Sequence, residues 1–359
     1  MSTGSENSQL TNNFPRSISG ISEQWLSDTL GVAISNLQAE RIGADRGMLG
    51  DVFRLTFADA AGTPKAIIAK FASDREEARA SALKAGIFLR EISFYRDIAP
   101  ITKSRIPECF GAWYDEATAE FLLLLESISF DHSVDQIAGI SRREAEMMMV
   151  ELARLHISVA QLGAAGSSMF AFTEPRRLTN QTMFIERGWP ELCNILQEGT
   201  EWETAQLLEG LTSAHERGAQ LPQVFLHGDV RADNLLYSPD RSEVVLVDWQ
   251  GACIGARVWD LSYFFVQCLT VENRESWQSD LLQTYCDEVA RVTPGVSAQV
   301  MHAELTSQLG IGAWFPFVVA CSLFVVADCS EPRTLALAKS MGTRALQMLA
   351  STSELMNRL

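Results

Sequence analysis

Polar and apolar residues alternate over residues 52–57 (VFRLTF), which predicts a half-buried strand. The apolar run 65–71 (KAIIAKF) predicts a second strand, and Ala61-Gly62-Thr63-Pro64 supplies the turn that joins them. Ahead of both, residues 22–30 predict a short helix with Ser22 as its N-cap. Residues 74–97 place apolar side chains at 83, 87, 88, 92, 94 and 95, the spacing of one long helix that Pro100 and Pro107 bring to an end. Two further strands are expected over residues 112–125, the second (FLLLLE) apolar enough to be buried on both faces.

From Ser141 onward the texture is helical. Ser141 and Glu144 resemble a capping box ahead of a helix over 145–160. A strand pair is expected at 224–226 and 244–247, and everything past Val258 reads as helix. The pattern therefore divides into a tail over 1–20, expected to be disordered, a strand-rich lobe over 21–127 and a larger helical lobe over 128–359. A ligand cleft between the lobes is the common outcome of such a plan. Residues 305–327 carry no formal charge and are long enough to cross a bilayer. Gly310, Gly312 and Pro316, with acidic flanks and no basic anchor, favour a pair of buried helices instead, and no membrane partner is expected.

Composition narrows the partners. The 359 residues are 47% apolar and 21% charged, with a net charge of −16 and a pI near 4.8. A nucleic-acid binder would normally show a basic face, so no nucleic-acid partner is expected. Seven cysteines, with no C-x-x-C pair, argue against a zinc site or a disulfide framework and for thiols in a reducing, cytoplasmic compartment.

The chemistry concentrates at 226–265. His227-Gly228-Asp229 is followed five positions later by Asn234, and a buried apolar strand then ends in Asp248-Trp249-Gln250. Phosphoryl transfer needs such a set: one carboxylate to orient the acceptor hydroxyl and take its proton, with an amide and a second carboxylate to hold Mg²⁺ against the phosphates. The pattern H-G-D-x-x-x-x-N followed by D-W-Q resembles the catalytic segment of the aminoglycoside phosphotransferase and choline kinase superfamily. The run from Gly255 to Phe264 (GARVWDLSYF) resembles the same family, and the D-W-Q form resembles its bacterial and ecdysteroid-kinase-like members. Gly228 stands where protein kinases have Arg, and Trp249-Gln250 where they have Phe-Gly.

The resemblance implies an α+β, two-lobe, protein-kinase-like fold and an ATP- and Mg-dependent kinase for a hydroxyl on a small molecule. Asp229 becomes the catalytic base, Asn234 and Asp248 the metal ligands, and His227 and Asp260 the braces of the loop. Arg231 could meet a phosphate or an acidic substrate, or form a surface salt bridge. His156, in Leu152-Ala-Arg-Leu-His156, takes a packing role beneath the loop. In the first lobe Lys70 would reach the nucleotide phosphates, with Lys65 as its rival. Glu91, in an E-x-x-F-Y helix, would pair with Lys70, with Glu76 and Glu77 as alternatives. Gly47 and Gly50 belong to a candidate phosphate loop over 43–50. The backbone of Leu125, Glu126 and Ser127 would meet the adenine. Nucleotidyl transfer, or nucleotide binding for regulation, is the alternative on the same fold. The expected acceptor has an apolar body rather than a polycationic one. Trp189, Trp202, Trp259, Trp314, Phe315 and Phe317 could line its pocket or simply form core, and the acids at 186, 191, 198, 201 and 203 could face the cleft or solvent.

Overall fold

The computed structural model describes residues 14–42, 50–129, 134–158, 171–196 and 202–351. The chain forms two compact units. Unit 1 comprises Met1–Pro100 and Ile106–Ser129, and unit 2 comprises Ile101–Arg105 and Phe130–Leu359.

Unit 1 is built on a five-stranded antiparallel sheet in the order β1-β2-β3-β5-β4. Its strands are β1 (Ser35–Ile42), β2 (Gly50–Ala58), β3 (Pro64–Ala72), β4 (Cys109–Asp115) and β5 (Glu120–Glu126). The helix α1 (Glu23–Leu30) begins at Ser22, whose hydroxyl accepts the Trp25 N–H at 3.1 Å. β5, between β3 and β4, is buried on both faces, as its unbroken apolar run requires. Leu122 and Leu124 join a cluster with Leu26, Leu55, Phe57 and Phe71, while Phe121 packs on Phe88 with ring centroids 4.4 Å apart. Phe14 is also buried in the first cluster, and Arg16 bonds Asp115 at 2.9 Å. The end of the expected tail is thus held by an aromatic anchor and by ion pairs of Arg16 with Asp115 and Glu120.

The long helix expected over 74–97 is three pieces. Helix α2 (Glu76–Ala85) ends at Gly86, whose φ of +66° turns the chain and lets its N–H cap the carbonyls of Ala82 and Leu83. Helix α3 (Ile87–Ser93) follows, and a π-helical segment, Phe94–Ile98, completes the run. The apolar spacing carries through all three, which is why periodicity alone missed the break.

Unit 2 is helical apart from two short sheets. Its elements are α4 (Arg142–Ser158), α5 (Pro175–Leu196), α6 (Thr204–Gln220), β6 (Gln223–Leu226), β7 (Leu235–Tyr237), β8 (Val244–Leu246), β9 (Cys253–Ala256), α7 (Arg257–Cys268), α8 (Val271–Val292), α9 (Ala298–Val326) and α10 (Pro332–Ser351). The two strands expected to pair with each other do not. β6 pairs with β9, and β8 pairs with β7. The capping box is present: the Ser141 N–H donates to Glu144 Oε2 at 2.8 Å, and the Glu144 N–H reaches Ser141 Oγ at 3.4 Å.

The uncharged stretch is one helix, α9, with Pro316 inside it, rather than a helix pair. Among the described residues it is the one helix long and apolar enough to cross a membrane, and 61% of its apolar 18-residue window is buried in the fold. Close approach explains its small residues. A side chain at Gly312 would strike the Val258 carbonyl of α7, and Ser262 donates to the Leu309 carbonyl at 2.8 Å. Trp314 is fully buried with its ring over Gly210. The described cysteines form no disulfide.

Candidate active site

The catalytic-loop pattern occupies the connection from β6 to β7. Four loop residues are held from successive turns of α7. The buried Asp260 carboxylate accepts the backbone N–H of His227 at 2.7 Å and of Gly228 at 2.9 Å. Tyr263 donates its hydroxyl to Asp229 Oδ1 at 2.8 Å. Cys268 Sγ contacts the Val230 carbonyl at 3.5 Å. Gly228 must be glycine for two reasons. Its φ is +77°, and a Cβ there would collide with the carbonyl of Gly251.

The histidines brace this arrangement. His227 Nε2 donates to the Val247 carbonyl at 3.1 Å, and its Nδ1 accepts the Asp229 N–H at 3.3 Å. Its ring lies 4.5 Å from that of Trp249, which is fully buried beneath it. The Trp that distinguishes D-W-Q is therefore the floor of the loop. His156 is fully buried between the Tyr285 hydroxyl, 2.8 Å from Nδ1, and Asp260 Oδ2, 3.3 Å from Nε2. Burial holds its pKa below the ordinary value, against the pull of Asp260.

Asp229 sits at the centre of the cluster, with 28% of its side chain exposed, so a small molecule can reach it. Besides Tyr263, it accepts the Asn234 amide N–H at 3.0 Å on Oδ2, and Arg231 Nε lies 3.4 Å from the same oxygen. Asp229 foremost, with Asp233 and Asp248, holds the Arg231 pKa above its ordinary value. Pairing of Leu235 with Leu246 brings the start of β7 beside the end of β8, and the Val247 N–H donates to the Asn234 carbonyl at 3.1 Å. Asp248 follows with φ +66°, a left-handed conformation that Asp tolerates better than a β-branched residue.

The donor chemistry fits a hard cation. Asn234 turns its amide nitrogen toward Asp229, both side chain and carbonyl, which leaves the amide oxygen for a metal. Asp248 adds a carboxylate. Among the described residues no group of three His, Cys, Asp or Glu forms an all-protein site. Two oxygen donors with substrate phosphates completing the shell is the habit of Mg²⁺.

In unit 1, Lys70 on β3 reaches Glu91 on α3, with Nζ 2.7 and 2.9 Å from the two carboxylate oxygens. Glu91 is buried and Lys70 nearly so, whereas Lys65 is exposed. Gly47 lies outside the described residues. Gly50 opens β2 opposite Ala72, and a Cβ there would come within 2.9 Å of the Phe71 carbonyl. Leu125 is paired on both sides, with Ile68 and Cys109. The Glu126 N–H donates to the Glu108 carbonyl at 2.8 Å. Ser127 is the expected adenine-contacting residue that follows β5.

The sequence reading missed Tyr263 as a partner of Asp229. Its signal was the spacing: three residues after Asp260 on a helix, it lies on the adjacent face, one turn along.

The sequence profile of the ecdysteroid kinase-like family matches residues 46–294, which include the Lys70–Glu91 pair and the whole catalytic segment. The chain belongs to this family. As an ecdysteroid kinase-like protein it is a small-molecule phosphotransferase of the kinase type, as the resemblance in 226–265 implied. No curated protein matches it in sequence. Several solved structures share its fold at low identity. A Ralstonia eutropha protein assigned as an aminoglycoside phosphotransferase is 14% identical with a TM-score of 0.53, covering 92% of this chain and 97% of its own. The GDP complex of a mutant aminoglycoside 2'-phosphotransferase IIIa is 11% identical, TM-score 0.51, covering 88% and 91%. Plasmodium vivax ethanolamine kinase is 11% identical, TM-score 0.50, covering 88% and 84%. The fold of the ecdysteroid kinase-like protein is accordingly the two-lobe α+β kinase type.

Proposed function

We propose that this protein uses Mg-ATP to phosphorylate a hydroxyl of a small molecule, with Asp229 as the base. The observation that carries the reading is the Asp229 carboxylate itself. It is reachable, oriented by Tyr263 and Asn234, and anchored on a loop whose backbone is clamped by buried Asp260. A carboxylate so placed orients the acceptor hydroxyl and takes its proton as the phosphoryl group arrives. When bound, Mg²⁺ neutralises phosphate charge, and Asn234 and Asp248 would hold it. Lys70, fixed by Glu91, binds phosphate oxygens, and the segment Leu125–Ser127 meets the base of the nucleotide. Arg231 adds a positive charge beside the transferred group.

Two tests follow from single side chains. Asp248→Ala is expected to remove most of the Mg²⁺ dependence of ATP binding, read by titration calorimetry with and without the metal. Unchanged Mg-ATP affinity would take Asp248 out of the metal site. Tyr263→Phe removes one donor to a charged acceptor, worth about 1.5–3 kcal/mol, so turnover should fall about tenfold or more. Turnover within a few-fold of the unaltered protein would show that the Tyr263 hydroxyl does not position Asp229.

A further inference from the structure

Beyond its capping box, α4 buries a second carboxylate. Glu151 lies on the face that also carries buried Met148 and Leu155. Burial raises its pKa above the ordinary carboxylate value, so a charge at this place needs partners. Both of its oxygens are engaged. Oε1 accepts from Arg154 Nη1 at 2.6 Å, and Oε2 accepts the backbone N–H of Arg105 at 3.0 Å. Arg154 in turn donates from Nε to Glu288 on α8 at 3.1 Å. Arg105 closes the segment Ile101–Arg105, a short stretch of unit 2 that interrupts unit 1 in sequence. α4 holds this segment at further points. Ser104 Oγ donates to the Glu151 carbonyl at 3.0 Å, and the Lys103 N–H donates to Ser158 Oγ at 2.8 Å.

Arg105 reaches the candidate site through its carbonyl. One edge of β8 is paired with β7. On the other edge the Leu246 N–H donates to the Arg105 carbonyl at 3.2 Å. The next N–H, of Val247, turns back to the β7 side and donates to the Asn234 carbonyl at 3.1 Å. The Val247 carbonyl accepts from His227 Nε2 at 3.1 Å. Asp248 follows directly, with its backbone left-handed at φ +66°. A residue with a side chain keeps that conformation only where its surroundings impose it. The two residues ahead of Asp248 are thus clamped from opposite edges, by the catalytic loop on one and by Arg105 on the other.

We propose that Glu151 is a positioning residue for Asp248. Its carboxylate fixes Arg105, the Arg105 carbonyl fixes the second edge of β8, and the strand end then sets where the Asp248 carboxylate stands. Mg²⁺ demands near-ideal octahedral geometry, so a small displacement of that carboxylate registers in metal affinity. The assignment rests on the Mg²⁺ reading of Asn234 and Asp248 and adds the residue that holds one of them in place.

Three variants of the full chain isolate this role. Glu151→Ala removes the acceptor, Glu151→Gln keeps an oxygen for the Arg105 N–H, and Glu288→Gln loosens Arg154 without touching Arg105. Each is titrated with a non-hydrolysable ATP analogue at rising Mg²⁺ concentrations, and a melting curve is recorded in parallel. Glu151→Ala is expected to raise the Mg²⁺ concentration for half-maximal binding about tenfold, the low end of the range for groups that support a metal ligand from behind. Its affinity for the analogue without metal stays that of the unaltered protein. Glu151→Gln should restore the Mg²⁺ requirement, and Glu288→Gln should leave it unmoved even where the melting temperature falls. If Glu151→Ala does not fold, Glu151→Asp, which keeps the charge and withdraws the acceptor by one methylene, takes its place with the same expected loss. A lower melting temperature with an unmoved Mg²⁺ requirement makes Glu151 a structural residue only and overturns the proposal. Failure of Glu151→Gln to restore the requirement, or an equal shift in Glu288→Gln, overturns it too. Analogue binding that is indifferent to Mg²⁺ in the unaltered chain sinks the metal reading itself, so the two failures separate.

Discussion

Asp229→Asn lowers phosphoryl transfer by about 10²–10⁴-fold, the range over which a positioned general base acts, while nucleotide affinity and the folded state persist. The change is nearly isosteric, and Asp229 is part-exposed, so no buried cavity opens. The amide still accepts from Tyr263 through its oxygen. What it loses is the capacity to take a proton from the acceptor. It also turns an N–H₂ group toward either the Tyr263 hydroxyl or the Asn234 amide, so the loop rearranges slightly. Steady-state kinetics measure the loss, and a parallel melting curve shows that the fold remains. Turnover within a few-fold of the unaltered protein would remove Asp229 from the role of base.

Asp260→Ala acts by a different route and on a larger scale. The Asp260 side chain is fully buried and accepts two backbone N–H groups, from His227 and Gly228, and it faces His156 Nε2. Truncation leaves two buried donors without an acceptor, each costing about 1–3 kcal/mol. The sum, roughly 2–6 kcal/mol, is a large share of a typical folding free energy of about 5–15 kcal/mol. Because those N–H groups flank Asp229, the variant loses both stability and transfer. Asp260→Asn keeps one acceptor oxygen and should recover part of the stability. A melting temperature for Asp260→Ala equal to that of the unaltered chain would show that the clamp contributes nothing.

The pattern of the candidate site was legible because its parts lie close in sequence. His227, Asp229 and Asn234 are one loop, Asp248 ends the next strand, and Asp260 begins the following helix. Short connections leave few ways to arrange them, so spacing carried geometry. Lys70 and Glu91 were readable for another reason: a Lys at the end of an apolar strand must find a partner once buried, and the E-x-x-F-Y resemblance singled out Glu91, on α3, over Glu76 and Glu77 on the nearer α2.

What stayed hidden is equally physical. β1 (SNLQAERI) is largely exposed on both faces, so it has no alternation to detect. The pairing of β6 with β9 and of β7 with β8 depends on tertiary closure, and three- and four-residue strands carry little register information. The break at Gly86 is a backbone event within continuous apolar spacing. Three aromatic residues of α9 divide by helix face: Trp314 and Phe317 are core, whereas Phe315 turns to a cavity between α5 and α9 and to Tyr263. Pro316 between them suggests two helices where the chain forms one, and the sequence cannot say which face meets α5 and α7.

The most direct test is transfer of labelled γ-phosphoryl from Mg-ATP across a library of hydroxylated metabolites, with the unaltered chain and Asp229→Asn side by side and products identified by mass. The expected result is a phosphate monoester of at least one neutral or anionic hydroxyl compound, dependent on Mg²⁺ and absent with Asp229→Asn. Transfer of a nucleoside monophosphate instead of phosphate, or nucleotide binding with no transfer to any hydroxyl, would contradict it.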